Sequence, residues 1–115
     1  MSSLFDYQNA AHKDITIVEY RSDFLDTNTD HALIDVRTPF EFARGHLPGA
    51  INIPLNQLQF QADKVPTDKP VVFVCATGTR SADAAYAFAN AGFDNVYNLA
   101  GGTMMWMMNG LPLDH

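Results

Sequence analysis

The sequence predicts an α/β domain on a mainly parallel sheet, and two observations predict it. Short β-branched or apolar runs alternate along the chain with segments that carry helix-start chemistry. Two of those runs, Ala32-Leu33-Ile34-Asp35-Val36 and Val71-Val72-Phe73-Val74, are apolar almost throughout, which suits strands covered on both faces. The chain has 115 residues, 47% of them hydrophobic, which is one domain's worth and leaves no room for a second.

Taken in order, residues 1–14 are polar and aperiodic and are expected to form a loosely docked N-terminal arm ahead of a domain over 15–115. Thr16-Ile17-Val18 is β-branched and reads as a short strand. Ser22 is placed to cap a brief helix from Asp23 to about Asp26, and Thr27-Asn28-Thr29-Asp30 is turn chemistry. After the 32–36 strand, Thr38, Pro39 and Glu41 supply an N-cap hydroxyl, a proline at the first helical position and the partner residue of a capping box. Pro48-Gly49 marks a turn, Ala50–Ile53 a short extended piece, and Pro54 opens a helical stretch to about Gln61. The loop Thr67–Pro70 precedes the strongest strand, Val71–Val74, which ends at Cys75. Ala82–Ala91 is an Ala-rich helix closed by Gly92, where a left-handed residue is wanted. Asn95–Leu99 is a last strand and Thr103–Met108 a last short helix.

Composition excludes several functions. A single cysteine rules out an internal disulfide framework and the cysteine-rich zinc sites, and the four histidines show no ligand spacing, so no metal and no cofactor are expected. Thirteen acidic against seven basic side chains give a formal charge of −6, which argues against nucleic acid and anionic membranes as partners. No run is long and apolar enough to span a bilayer and no secretory signal is evident, so a reducing, cytoplasmic setting is expected.

Attention therefore falls on the one thiol. Cys75 lies at the carboxyl end of a predicted parallel strand, where open α/β sheets place ligands. The loop Ala76-Thr77-Gly78-Thr79-Arg80-Ser81 and a helix follow directly. This order aims backbone N–H groups and the positive helix end at the sulfur, and Arg80 adds a full charge. The thiol is expected to fall below its usual ~8.5. Gly78 lets the loop curl its amides inward as an anion nest. A lone Cys closing an apolar strand is also a common inert core residue, and the Cys-x-x-Gly-x-Arg-Ser loop is what favours the reactive reading.

Two further stretches give the pattern its specificity. Leu33-Ile34-Asp35-Val36-Arg37-Thr38-Pro39-Phe40-Glu41, continuing through Gly45-His46-Leu47-Pro48-Gly49-Ala50 to Ile53-Pro54, closely resembles the N-terminal signature of rhodanese domains. Val71 to Ser81, then Gly92-Phe93 through Gly101-Gly102-Thr103-Met104-Met105-Trp106 to Gly110-Leu111-Pro112, is similar to that family's second half. The resemblance runs over about residues 15–113. It implies a five-stranded, mainly parallel sheet flanked by helices on both faces, with a sulfurtransferase of the thiosulfate type carrying sulfane sulfur as a persulfide on Cys75. The donor would be thiosulfate or a persulfide, the acceptor cyanide, a small thiol or a protein thiol, and the backbone of Ala76–Ser81 would cradle the persulfide. A low-turnover binding or regulatory module is the alternative of another class. Phosphatases and arsenate reductases of the same fold have loops resembling Cys-x5-Arg, and the Cys-x4-Arg loop here suits a sulfur atom better than an oxyanion.

The supporting residues are read as follows. Arg80 either binds an anionic donor or ties the loop to the scaffold, with Asp35 as its expected partner. Arg37 and Glu41 are expected to pair locally, and His46 is read as structural. Many thiosulfate-using relatives carry a basic residue at the second loop position, which here is Ala76, leaving the loop one cation. Met104, Met105, Met107 and Met108 around Trp106 read first as core filling, with an adaptable apolar rim beside the thiol as the alternative. Gly101-Gly102 suits a close approach to the Cys75 loop.

Overall fold

The structure, a computed structural model, describes residues 12–115. Five strands form one sheet: β1 Lys13–Ile15, β2 Ala32–Asp35, β3 Ile51–Asn52, β4 Val71–Val74 and β5 Val96–Leu99. Their order is β1-β5-β4-β2-β3 and every pairing is parallel. The helices are α1 Ile17–Tyr20, α2 Pro39–Ala43, α3 Thr79–Asn90 and α4 Gly102–Met108, with 3₁₀ turns at Leu55–Phe60 and Ala62–Lys64. No helix among the described residues is long and apolar enough to cross a membrane.

The period-two alternation of the central strand divides the core. Val71 and Phe73 face one side, packed with Leu58, Ala84, Ala85 and Phe88. Val72 and Val74 face the other, packed with Ile17, Tyr20, Phe24 and Trp106. Helices therefore cover both faces, which is why β4 is apolar at every position. The same alternation puts Cys75 on the side of Phe73, among the residues packed under α3.

The N-terminal third differs from the sequence expectation. The first strand ends at Ile15, and Thr16 is not a strand residue but the N-cap of α1. Its hydroxyl accepts from Glu19 N–H at 3.1 Å while the Glu19 carboxylate accepts from Thr16 N–H at 2.8 Å, a capping box that outweighs the β-branched character of Thr16-Ile17-Val18. Ser22 lies within the helix and caps nothing, because α1 runs on through a π turn over Arg21–Leu25. The expected arm over 1–14 falls for residues 1–11 outside the described residues, whereas Lys13 and Asp14 pair with Tyr97 and Asn98 of β5. Helix α3 also begins earlier than Ala82, at Thr79, with Gly78 as its N-cap at φ +107°. The expected Thr38 cap is present, with both bonds of its capping box and Pro39 at the start of α2.

Thr16→Ala is expected to lower stability by about 1 kcal/mol. Urea unfolding checks this, and an unchanged midpoint would contradict the cap.

Candidate active site

The chain turns sharply after Cys75, and the turn is held from outside. Thr103 N–H donates to the Cys75 carbonyl at 2.9 Å and Met104 N–H to the Ala76 carbonyl at 2.9 Å. The Thr103 hydroxyl adds a bond to the Cys75 carbonyl at 3.2 Å. A trans peptide is planar, so a carbonyl pulled toward α4 turns the next N–H the opposite way. Fixing the Ala76 carbonyl thus aims Thr77 N–H back toward the sulfur. The approach is so close that a Cβ on Gly102 would lie 2.4 Å from the Cys75 carbonyl oxygen, and Gly102 also holds φ at +57°. The expected role of Gly101-Gly102 is thus present at Gly102.

Cys75 is 1% exposed, yet its sulfur is not in an apolar setting. Gly78 N–H donates to Sγ at 3.1 Å and the Ser81 hydroxyl lies 3.2 Å from it. Burial pushes the thiol up, but the Ser81 hydroxyl and the amides of Ser81, Gly78 and Thr77 outweigh it, and the thiol sits below its ordinary value. The amino end of α3 adds its dipole in the same sense.

The two arginines exchange the partners expected of them. Arg37 does not pair with Glu41. Its guanidinium binds Asp35 at 2.8–3.1 Å and the Gly45 carbonyl at 2.7 Å. Nor does Arg80 pair with Asp35. It forms a two-pronged pair with Glu41 at 2.9 and 3.0 Å. Chain geometry accounts for the exchange. Asp35 is fully buried and turns back to accept from its own neighbour, Arg37 N–H, at 2.9 Å, so the guanidinium two residues on is already beside it. Glu41, in the first turn of α2, faces the first turn of α3 instead. Arg80 therefore ties the loop to α2. Its pull on the sulfur is shared with a carboxylate.

Other predicted residues separate from the thiol. Trp106 is a core residue on the far side of the sheet, its indole N–H donating to the Pro112 carbonyl at 2.8 Å. His46 is structural, stacked on Phe42 with a ring-centroid separation of 3.7 Å. The methionines are not core filling: Met104, Met105, Met107 and Met108 are 55%, 41%, 55% and 73% exposed. Met104, Met107 and Met108 line an apolar groove of about 230 Å³ with Arg37, Ala76 and Thr103, beside the Cys75 loop. Four residues join the site that sequence reasoning did not single out for it: Thr103, Glu41 as the partner of Arg80, Asn98, whose Oδ1 lies 2.6 Å from Ser81 Oγ, and Asp14, which accepts from Asn98 Nδ2 at 3.0 Å. Asn98 carried a signal, a buried polar residue inside an apolar strand. Among the described residues no cluster of His, Cys, Asp or Glu could hold a metal ion.

Comparison with known proteins identifies the family of the chain. A family model described as a rhodanese-like domain matches residues 17–109. Bacillus subtilis YqhL is 40% identical over 92% of this chain and 81% of its own length. A sulfurtransferase of Allochromatium vinosum is 36% identical over 83% and 89%. The crystal structure of a rhodanese-related protein from Thermoplasma volcanium superposes with a TM-score of 0.79 at 28% identity, covering 90% of this chain and 98% of that one.

Two outcomes are expected. Gly102→Ala should displace the loop, costing about 1–3 kcal/mol and slowing alkylation of Cys75 by iodoacetamide. Parent-like stability and reactivity would contradict the clamp. Glu41 is held at about 2 against an ordinary 4.5, mainly by the Arg80 hydrogen bonds. Its contribution is therefore complete above the ordinary value and lost as the pH falls through the folded one. Glu41→Gln should cost about 0.5–1 kcal/mol at neutral pH, since the pair is one-third exposed, and the gap to the parent should close as the pH falls toward 2.

Proposed function

The chain belongs to the rhodanese-like domain family, and from that premise we propose that it is a sulfurtransferase in which Cys75 carries the transferred sulfur. The observation that carries this reading is the ring of donors on Cys75 Sγ: a hydroxyl and inward amides that favour a thiolate at the foot of a helix. The thiolate attacks the outer sulfur of a donor. A new S–S bond forms on Cys75 while the donor's own S–S bond breaks, and the donor's remaining fragment leaves with the electron pair. With thiosulfate that fragment is sulfite, and with a persulfide it is a thiolate. The outer sulfur, now bearing the negative charge, is met by the loop amides. A thiol or cyanide acceptor then attacks that outer sulfur, the S–S bond to Cys75 breaks, and the thiolate returns. The two half-reactions make the kinetics ping-pong.

The Arg80–Glu41 pair bears on the choice of donor. Ala76 contributes no charge and the one arginine of the loop is already neutralised, so a dianion gains little from this loop. A persulfide donor, whose reacting group carries a single negative charge and whose organic body can lie on the methionine groove, suits the site better than thiosulfate. The same pairing tells against phosphate ester hydrolysis, because the guanidinium is turned to Glu41 rather than over the nest.

Intact-mass measurement after treatment with glutathione persulfide should show a gain of one sulfur atom that Cys75→Ser lacks, with slower loading by thiosulfate. Absence of the adduct with every donor would leave a binding module that retains the fold. Cys75-dependent hydrolysis of p-nitrophenyl phosphate would instead place the chain with the phosphatases.

A further inference from the structure

The sulfur-transfer chemistry leaves one polar chain unused. Ser81 Oγ lies 3.2 Å from Cys75 Sγ and 2.6 Å from Asn98 Oδ1, and Asn98 Nδ2 donates to Asp14 Oδ1 at 3.0 Å. Ser81 and Asn98 are buried, on α3 and β5, while Asp14 on β1 reaches solvent. The same Asp14 oxygen faces His12 Nε2 at 3.1 Å.

A hydroxyl has one proton to give, so Ser81 can serve the sulfur or the Asn98 oxygen but not both. The orientation of the Asn98 amide is constrained as well. A carboxylate only accepts, so the NH₂ end must face Asp14 and the carbonyl end must face Ser81. With the neutral thiol every partner is satisfied: S–H donates to Ser81, Ser81 to Asn98, Asn98 to Asp14. When the thiol ionises, Ser81 turns to the sulfur and leaves two oxygens 2.6 Å apart with no proton between them. When sulfur is loaded, Sγ becomes uncharged, the charge moves to the outer sulfur, and Ser81 is released to Asn98 again. Only the bare thiolate pays for the arrangement.

We propose that Asp14 and Asn98 form a positioning pair that competes with Cys75 for the Ser81 proton, disfavouring the empty thiolate relative to the thiol and to the sulfur-loaded carrier. The part concerning the loaded carrier rests on the sulfurtransferase reading, and the part concerning ionisation does not. The other charged groups near the sulfur leave the pair distinct. Arg80 on α3 is bound by Glu41 of α2, Asp35 at the end of β2 is bound by Arg37, and α4 carries no ionisable side chain.

The test is the pH profile of Cys75 alkylation by iodoacetamide in a double-mutant cycle. Asp14→Ala frees the Asn98 amide to turn over and donate to Ser81, so the midpoint should fall by about half a unit to one unit. Asn98→Leu should lower it likewise, and Asp14→Ala added to Asn98→Leu should shift it no further. If Asn98→Leu does not fold, Ser81→Ala serves as the background, and Asp14→Ala should again have no effect there. An unmoved midpoint in Asp14→Ala would overturn the proposal, as would an equal shift in parent and background, which is what a through-space charge effect produces. Above the alkylation midpoint, the ratio of loaded to empty protein at equilibrium with glutathione and glutathione persulfide should fall about three- to tenfold in Asp14→Ala. An unchanged ratio above the midpoint, in a protein that does load, overturns the second part. Absence of loading in the parent itself refutes the sulfur-carrier reading and with it that second part, while the alkylation cycle still decides the first.

Discussion

A buried thiolate is tolerated only where hydrogen-bond donors converge on it, and a loop supplies such donors only if its carbonyls are held elsewhere. That is the constraint on which the arrangement around Cys75 depends. The carbonyls of Cys75 and Ala76 are taken up by the amides of Thr103 and Met104, so the first residues of α4 complete a site whose cysteine lies nearly thirty residues earlier. The bare backbone of Gly102 allows that contact. The loop sequence alone does not make the nest. It makes a turn that α4 then sets.

The charged residues form a second layer with a different task. Asp35 and Arg37 are almost wholly buried and satisfy one another, Arg37 also donates to the Gly45 carbonyl, and Asn52 donates to the backbone carbonyls of Asp35 and Arg37, which holds the segment after β2 in place. Removing one partner of such a pair leaves an uncompensated buried charge. Glu41 and Arg80 are more exposed and join the starts of α2 and α3. Both pairs therefore serve geometry first. They leave the sulfur to be stabilised by neutral dipoles, which gain strength from exclusion of water.

What could be read from the sequence follows from what is local. Sheet class is legible from two nearly continuous apolar runs, the face on which Cys75 lies follows from its parity with Phe73, and the Thr38-Pro39-Glu41 start is visible because its partners are three residues apart. Thr16 shows the limit of propensity. Its β-branched run reads as a strand until the reciprocal bond with Glu19 is weighed, and Glu19 was in plain view. Partner choice among Asp35, Arg37, Glu41 and Arg80 was not legible, because it depends on which way two strand ends and two helix starts face one another. Asn98 and Asp14 belong to the same class, as they meet only because β1 pairs in parallel with β5 across most of the chain. The methionines misled for another reason. Hydrophobic character says a side chain benefits from cover, not that this chain supplies it.

If Cys75 carries sulfur as proposed, its depth also bears on which of two adjacent sulfur atoms an incoming nucleophile meets. A persulfide offers an inner and an outer electrophilic sulfur. Attack at the inner one would release hydrogen sulfide and leave a mixed disulfide, which a chain with a single cysteine has no second thiol to resolve. With the residue 1% exposed and Sγ enclosed by Gly78 and Ser81, the inner atom of a persulfide on Cys75 would be shielded and the outer one left to meet the acceptor. On the proposed sulfur-carrier reading, burial would act as a regiochemical guard, deciding between productive delivery and a dead end without any residue having to recognise the acceptor.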